Sequence, residues 1–136
     1  MAAKPIRVIK QRKNWDCGLA CLAMLLDLDY GDVSRRVRET IPVIPRRGLG
    51  AYHLEEIAAS FDKPLRRIYR SNTYLANRPT GILGVNGGKM CWAGHWVMLK
   101  EGVVIEPWHE KRAIYGLDEY LKDSKSRSGI LLVLED

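Results

Sequence analysis

The stretch "QRKNWDCGLACLAMLL", Gln11 to Leu26, changes character at one residue. Up to Asp16 it is charged and polar; from Gly18 to Leu26 it is unbroken and apolar. An apolar segment with no polar face reads as a central, buried helix, and it is far too short to span a membrane. Asn14 and Asp16 are candidate N-caps, with side-chain oxygens to offer the first free N–H groups. Cys17 then falls in the first turn, where the positive end of the helix dipole favours an anionic sulfur. Cys21, one turn deeper on the same face, reads as a small buried hydrophobe. A buried helix alone leaves Gln11, Asp16 and Cys17 at its mouth without a reason.

Outward from this helix, "IRVIKQ" upstream reads as a short strand or an extended lead-in. Downstream, Gly31 is expected to end the turn, and "DVSRRVRET" is a second, amphipathic helix with Val33 and Val37 inward. The prolines and glycines of "IPVIPRRGLG" make a loop, and "AYHLEEIAASF" is a third helix with Leu54, Ile57 and Ala58 at helical spacing. After Pro64 the period changes. "LRRIY", "TGILGVN", "HWVMLK", "GVVIEPW" and "GILLVLE" read as strands, with "LDEYLKDS" a short helix among them. Helices first and strands later predict an α+β fold, N-terminal helices on a C-terminal antiparallel sheet. No repeat, low-complexity tract or linker divides the 136 residues, so residues 1–136 are expected to form one domain.

The hydrophobic fraction of 46% and charged fraction of 28% are those of an ordinary soluble protein. "MAAKPIRVIKQRKNW" has no apolar stretch after its positive charge, so it is not read as a secretory signal. Three cysteines, an odd count without a scaffold pattern, point to a reducing compartment, with cytoplasm as the expectation. The net charge of +6 draws on short arginine clusters: Arg35, Arg36 and Arg38; Arg46 and Arg47; Arg66, Arg67 and Arg70. Each is interrupted, whereas phosphate contact needs them gathered on one face, so nucleic acid is set aside. An acidic partner stays open.

A nucleophilic cysteine needs a base, a group to orient that base, and donors for the oxyanion. Of the three histidines, His53 lies within the third helix, where a surface or capping role fits it best. His109 falls in a loop after "EPW", and His95 opens the strand "HWVMLK". A two-residue turn at Glu101–Gly102 would join that strand to "VVIEPW" as a hairpin and set Val97 opposite Glu106. His95 is then the next residue along on the same face, a diagonal neighbour of the Glu106 carboxylate. Gln11 can offer its side-chain amide to an oxyanion, beside the backbone N–H of Cys17.

The segment from Gln11 to Leu22 resembles the opening of the bacteriocin-processing, double-glycine-leader cysteine peptidases within the papain-like group. That family starts with Gln, five residues and a Cys, commonly as DCG-x-ACL-x-M. "RGLGAYHLEEIAASFDKPLRRI" is similar to its second helical segment, "GHWVMLK" to its histidine strand, and "IEPW" stands where the family usually has Asp-Pro. The resemblance implies a papain-like fold and cleavage of a peptide or protein substrate, with no cofactor and no metal. It implies Cys17 as nucleophile, His95 as base, Gln11 as oxyanion donor and Glu106 as orienter, with Trp108 shielding the histidine–orienter bond. Glu106 departs from the family's Asp by one methylene, and nothing in these 136 residues resembles the exporter often fused to the family.

Three other readings compete. Cys17, Cys21, Cys91 and His95 have spacing compatible with a Cys₃His zinc site, although two ligands would come from inside an apolar helix. The fold could serve as a binding module without turnover, or the same triad could act on another amide. The glycine-rich segments "RRGLGAY" and "GVNGGKMCWAG" could border a cleft, but are read as plain turns.

Overall fold

The computed structural model describes residues 7–46, 48–69, 72–86, 95–108 and 110–135. Three helices come first: α1 (Cys17–Leu26), α2 (Tyr30–Thr40) and α3 (Ala51–Ser60). There follow β1 (Leu65–Ile68), α4 (Asn72–Leu75), β2 (Gly81–Asn86), β3 (His95–Lys100), β4 (Val103–Ile105), β5 (Ile114–Gly116), α5 (Leu117–Ser124) and β6 (Arg127–Leu134). The strands make one sheet in the order β1-β6-β2-β3-β4-β5, antiparallel at every pairing. The predicted α+β layout is observed.

Side chains alternate across each strand, and the core divides accordingly. Ile82, Met98, Ile105 and Leu132 join the residues of α1, α2 and α3 in one cluster. Their neighbours Leu83, Val97, Leu99, Val104 and Leu131 form a second cluster with Tyr115 of β5 and Tyr120 of α5. So α1–α3 cover one face and α5 packs on the other, over β4 and β5. Residues Leu19 to Ala23 of α1 have no exposed surface, as a helix apolar on all sides requires.

The β3–β4 hairpin follows the expected register, pairing Met98 with Ile105, Leu99 with Val104 and Lys100 with Val103. Glu101 (φ 50°) and Gly102 (φ 83°) both take the positive φ that a two-residue type I′ turn demands.

Some local expectations are corrected. Residues 7–10 form no strand, which leaves the lead-in alternative. Gly31 lies inside α2; α1 ends instead at Asp27, left-handed at φ 55°, with its N–H on the Ala23 carbonyl. The short β5 and α4 were not foreseen. Among the described residues no helix is long and apolar enough to cross a membrane.

Candidate active site

Asp16 occupies the N-cap position of α1, yet its side chain does not cap the helix. Its fully buried carboxylate turns back to accept the N–H groups of Arg12 (3.1 Å) and Lys13 (2.9 Å) and the Tyr30 hydroxyl. The Arg12 guanidinium lies 4.1 Å over the Tyr30 ring. These bonds curl residues 11–16 into a fixed loop at the mouth of α1. Gln11 is pinned within it: its N–H donates to the Pro107 carbonyl (2.8 Å) and its Nε2 to the Lys13 carbonyl (2.7 Å). Among the described residues one Nε2 hydrogen remains over and the buried Oε1 meets no donor.

Gly18 lets this mouth sit tight against its surroundings. A Cβ there would stand 3.0 Å from Leu54 of α3 and 3.1 Å from the Trp96 ring of β3.

His95, 8% exposed, places Nε2 2.6 Å from Oε1 of Glu106, which is 1% exposed. That leaves Nδ1 as the ring nitrogen to face the sulfur, and the ring hydrogen-bonds Cys17. Burial works to lower the His95 pKa, but the hydrogen bonds and charges of Cys17 and Glu106 outweigh it and push the value up to about 10. Burial works the other way on Glu106. His95, the Tyr120 hydroxyl and the Trp108 N–H prevail there and hold the carboxyl below its ordinary range. The Trp108 N–H donates to Oε1 (2.9 Å) and the Tyr120 hydroxyl to Oε2. Cys21 is fully buried, and its thiol is pushed well up by burial and then by the charges of Cys17 and Glu106. It is a core residue, as expected.

The loop carrying Glu106 is tied down from the N-terminal side. Lys10 Nζ donates to the carbonyls of Glu106 (3.0 Å), Trp108 (3.0 Å) and Lys111 (2.9 Å). Consecutive residues, Lys10 and Gln11, therefore clamp the segment that orients His95.

Cys17 and His95 open onto a cleft of about 310 Å³. Gly48, Leu49 and Gly50 form one wall, and Gly84, Val85 and Asn86 the other. The glycine-rich segments are thus cleft borders as far as the structure describes them, not plain turns. Gly48, at φ 90°, has no room for a Cβ, which would meet the Trp15 carbonyl oxygen at 2.7 Å. Trp96 Nε1 bonds the Leu49 carbonyl (2.8 Å) and so fixes that wall to β3. His53 stands apart from the sulfur and accepts the Gly50 N–H (3.1 Å), the capping role expected of it. His109, Cys91 and residues 87–94 lie outside the described residues. Among the described residues no three His, Cys, Asp or Glu side chains gather as a metal site.

With this geometry in view, residues 5–101 match the Peptidase C39 family. The chain belongs to the Peptidase C39 family. No curated protein matches its sequence at a significant level. In structure it is similar to the peptidase domain of Streptococcus mutans ComA, with TM-score 0.68 and 17% identity over 95% of this chain and 98% of that one. It is also similar to the peptidase domain of Streptococcus ComA, a bifunctional ABC transporter of a quorum-sensing pathway. There the TM-score is 0.71 at 17% identity, covering 96% of this chain and 98% of that one. A double glycine motif protease from an AMS/PCAT transporter, solved with its leader peptide, gives TM-score 0.67 and 20% identity over 96% and 91%. The fold is therefore the papain-like one of C39 peptidases.

In this C39 chain, Glu106, Trp108 and Tyr120 lie beyond the last matched residue, 101. Sequence reasoning reached Glu106 through the hairpin but missed Tyr120 and Lys10. The available signal for Tyr120 was a tyrosine in the short helix "LDEYLKDS", since a buried hydroxyl must find an acceptor.

Proposed function

We propose that this chain is a cysteine peptidase hydrolysing peptide bonds through a thioester on Cys17, after small or glycine residues of a leader peptide. The observation that carries the reading is His95, its ring between Cys17 and a buried carboxylate at the edge of a glycine-walled cleft. The Cys17 thiolate attacks the scissile carbonyl carbon, and its oxygen takes up the negative charge. The Cys17 N–H and the second Nε2 hydrogen of Gln11 stabilise that oxyanion. As the intermediate collapses, the amine leaves with the proton of His95, and the acyl group stays on sulfur. Water then attacks the thioester, giving a proton to His95, and the acid departs as the thiolate–imidazolium pair reforms. Glu106 keeps the His95 ring oriented throughout and stabilises its charge in the steps where it is an imidazolium.

The double glycine motif for which the AMS/PCAT relative is named supports a small-residue preference. The leader peptide bound by the AMS/PCAT relative supports a peptide substrate. The domain is taken as residues 1–136, working in the reducing cytoplasm, where Cys17 stays free to react.

The test is incubation with synthetic leader peptides carrying Gly-Gly, Ala-Ala and Leu-Leu junctions, and mass spectrometry of the products. Cleavage after Gly-Gly, abolished by Cys17→Ala and by His95→Ala, is expected. Tight binding of the same peptides without any cleavage would contradict the proposal and leave a peptide-binding module.

A further inference from the structure

Glu106 has one more rotatable bond than an aspartate, and a buried carboxylate on a longer stem needs more contacts to hold one orientation. Two donors, His95 Nε2 and the Trp108 N–H, converge on the same oxygen, Oε1. The other oxygen, Oε2, takes the Tyr120 hydroxyl, which arrives from α5 on the far face of the sheet. Tyr120 is itself fixed, packed edge to face against Tyr115 at 5.2 Å and 75°. Arg112 lies 4.1 Å over the Tyr115 ring and pairs with Glu119 at the start of α5.

We propose that Tyr120 is a positioning residue: its hydroxyl locks the Glu106 carboxylate so that Oε1 stays on His95 Nε2. The proposal rests on the peptidase reading above. With the hydroxyl gone, Oε2 is a buried, unpaired carboxylate oxygen, and the group turns or takes a proton to relieve it. His95 then loses its aligned acceptor. A shorter aspartate at 106 would draw its carboxylate away from Tyr120, leaving the hydroxyl nothing to hold.

The experiment measures iodoacetamide alkylation of Cys17 from pH 4 to 11, and kcat and KM on a cleaved leader peptide. The full chain is compared with Tyr120→Phe, Glu106→Asp and the double variant, each checked for folding by thermal melting. Tyr120→Phe is expected to move the alkaline limb of alkylation, set by loss of the His95 proton, down by at least one pH unit. It should lower kcat about tenfold with KM unchanged. In the Glu106→Asp background the same substitution should change either quantity by less than about twofold. An equal loss in both backgrounds, or an unmoved alkaline limb, would overturn the role of Tyr120 and leave only packing. Where Tyr120→Phe fails to fold, proton NMR of the wild-type protein decides. A slowly exchanging Tyr120 hydroxyl resonance that shifts on Glu106→Gln is expected, and its absence overturns the proposal. Wild-type alkylation with no acid-side enhancement would instead defeat the peptidase reading itself, so the two failures are distinct.

Discussion

Asp16 and Glu106 are the two carboxylates with essentially no exposed surface among the described residues, and they are built alike. Each accepts a tyrosine hydroxyl on one oxygen, from Tyr30 or Tyr120, and each accepts backbone N–H donation, Asp16 from Arg12 and Lys13 and Glu106 from Trp108. They differ in one partner. Asp16 meets only donors that keep their protons at ordinary pH, since burial and then the hydrogen bond to Asp16 drive the Tyr30 hydroxyl far above its usual pKa. Glu106 meets in addition an imidazole that can gain or lose a proton. The same burial that makes Asp16 a fastening for a loop makes Glu106 a control on the charge of His95.

That difference is sharpest under deletion. Glu106→Ala is expected to lower peptide turnover and acid-side alkylation of Cys17 by about two to four orders of magnitude, the usual weight of acid–base catalysis. It should also destabilise the fold by about 3–5 kcal/mol, because it strands the buried imidazolium; urea melts read that loss. Asp16→Ala should produce a comparable stability loss, about 3 kcal/mol, but only about a tenfold fall in turnover per folded molecule, through the Gln11 loop. Loss of Cys17 alkylation without loss of stability in Asp16→Ala would erase the distinction.

How far the sequence foretells this contrast depends on the range of each interaction. The His95–Glu106 pair was legible because a two-residue turn at Glu101–Gly102 is local and fixes every pairing above it. The α1 helix was legible because nine apolar residues leave it no surface to face. Asp16 was misread as a cap because its true partners include Tyr30, brought alongside only when α2 folds back on α1. Tyr120 was missed for a similar reason: α5 reaches Glu106 only once it packs over β4 and β5, and nothing in "LDEYLKDS" names its acceptor. The glycine borders of the cleft likewise come together only when the loop before α3 packs against β3.

Smaller effects refine the comparison. Lys10→Met removes the ammonium that three carbonyls of the Glu106 loop share, and about 1–2 kcal/mol of stability should go with it. Gln11 and Glu106 should then show faster amide exchange together, while the Asp16–Tyr30 contact stays intact. With pH, the stabilisation from the His95 charge is fully present below the ordinary histidine value of 6.5 and lost as pH rises through about 10. That from Glu106 is present above the ordinary carboxyl value and lost as pH falls through its lowered one. The stability gap between wild type and Glu106→Gln should therefore shrink as pH rises from about 6.5 to about 10, whereas the gap to Asp16→Asn should not. Parallel gaps across that range in denaturation curves would mean that the two carboxylates do the same job.

Nitrogen-15 NMR of the His95 ring, followed from pH 5 to 11, reads the charge that Cys17 and Glu106 are argued to hold in place. Both ring nitrogens should stay protonated until close to pH 10, with the transition falling markedly in Cys17→Ala. An ordinary titration near pH 6.5, unmoved when Cys17 is replaced, would show that the three groups do not act together.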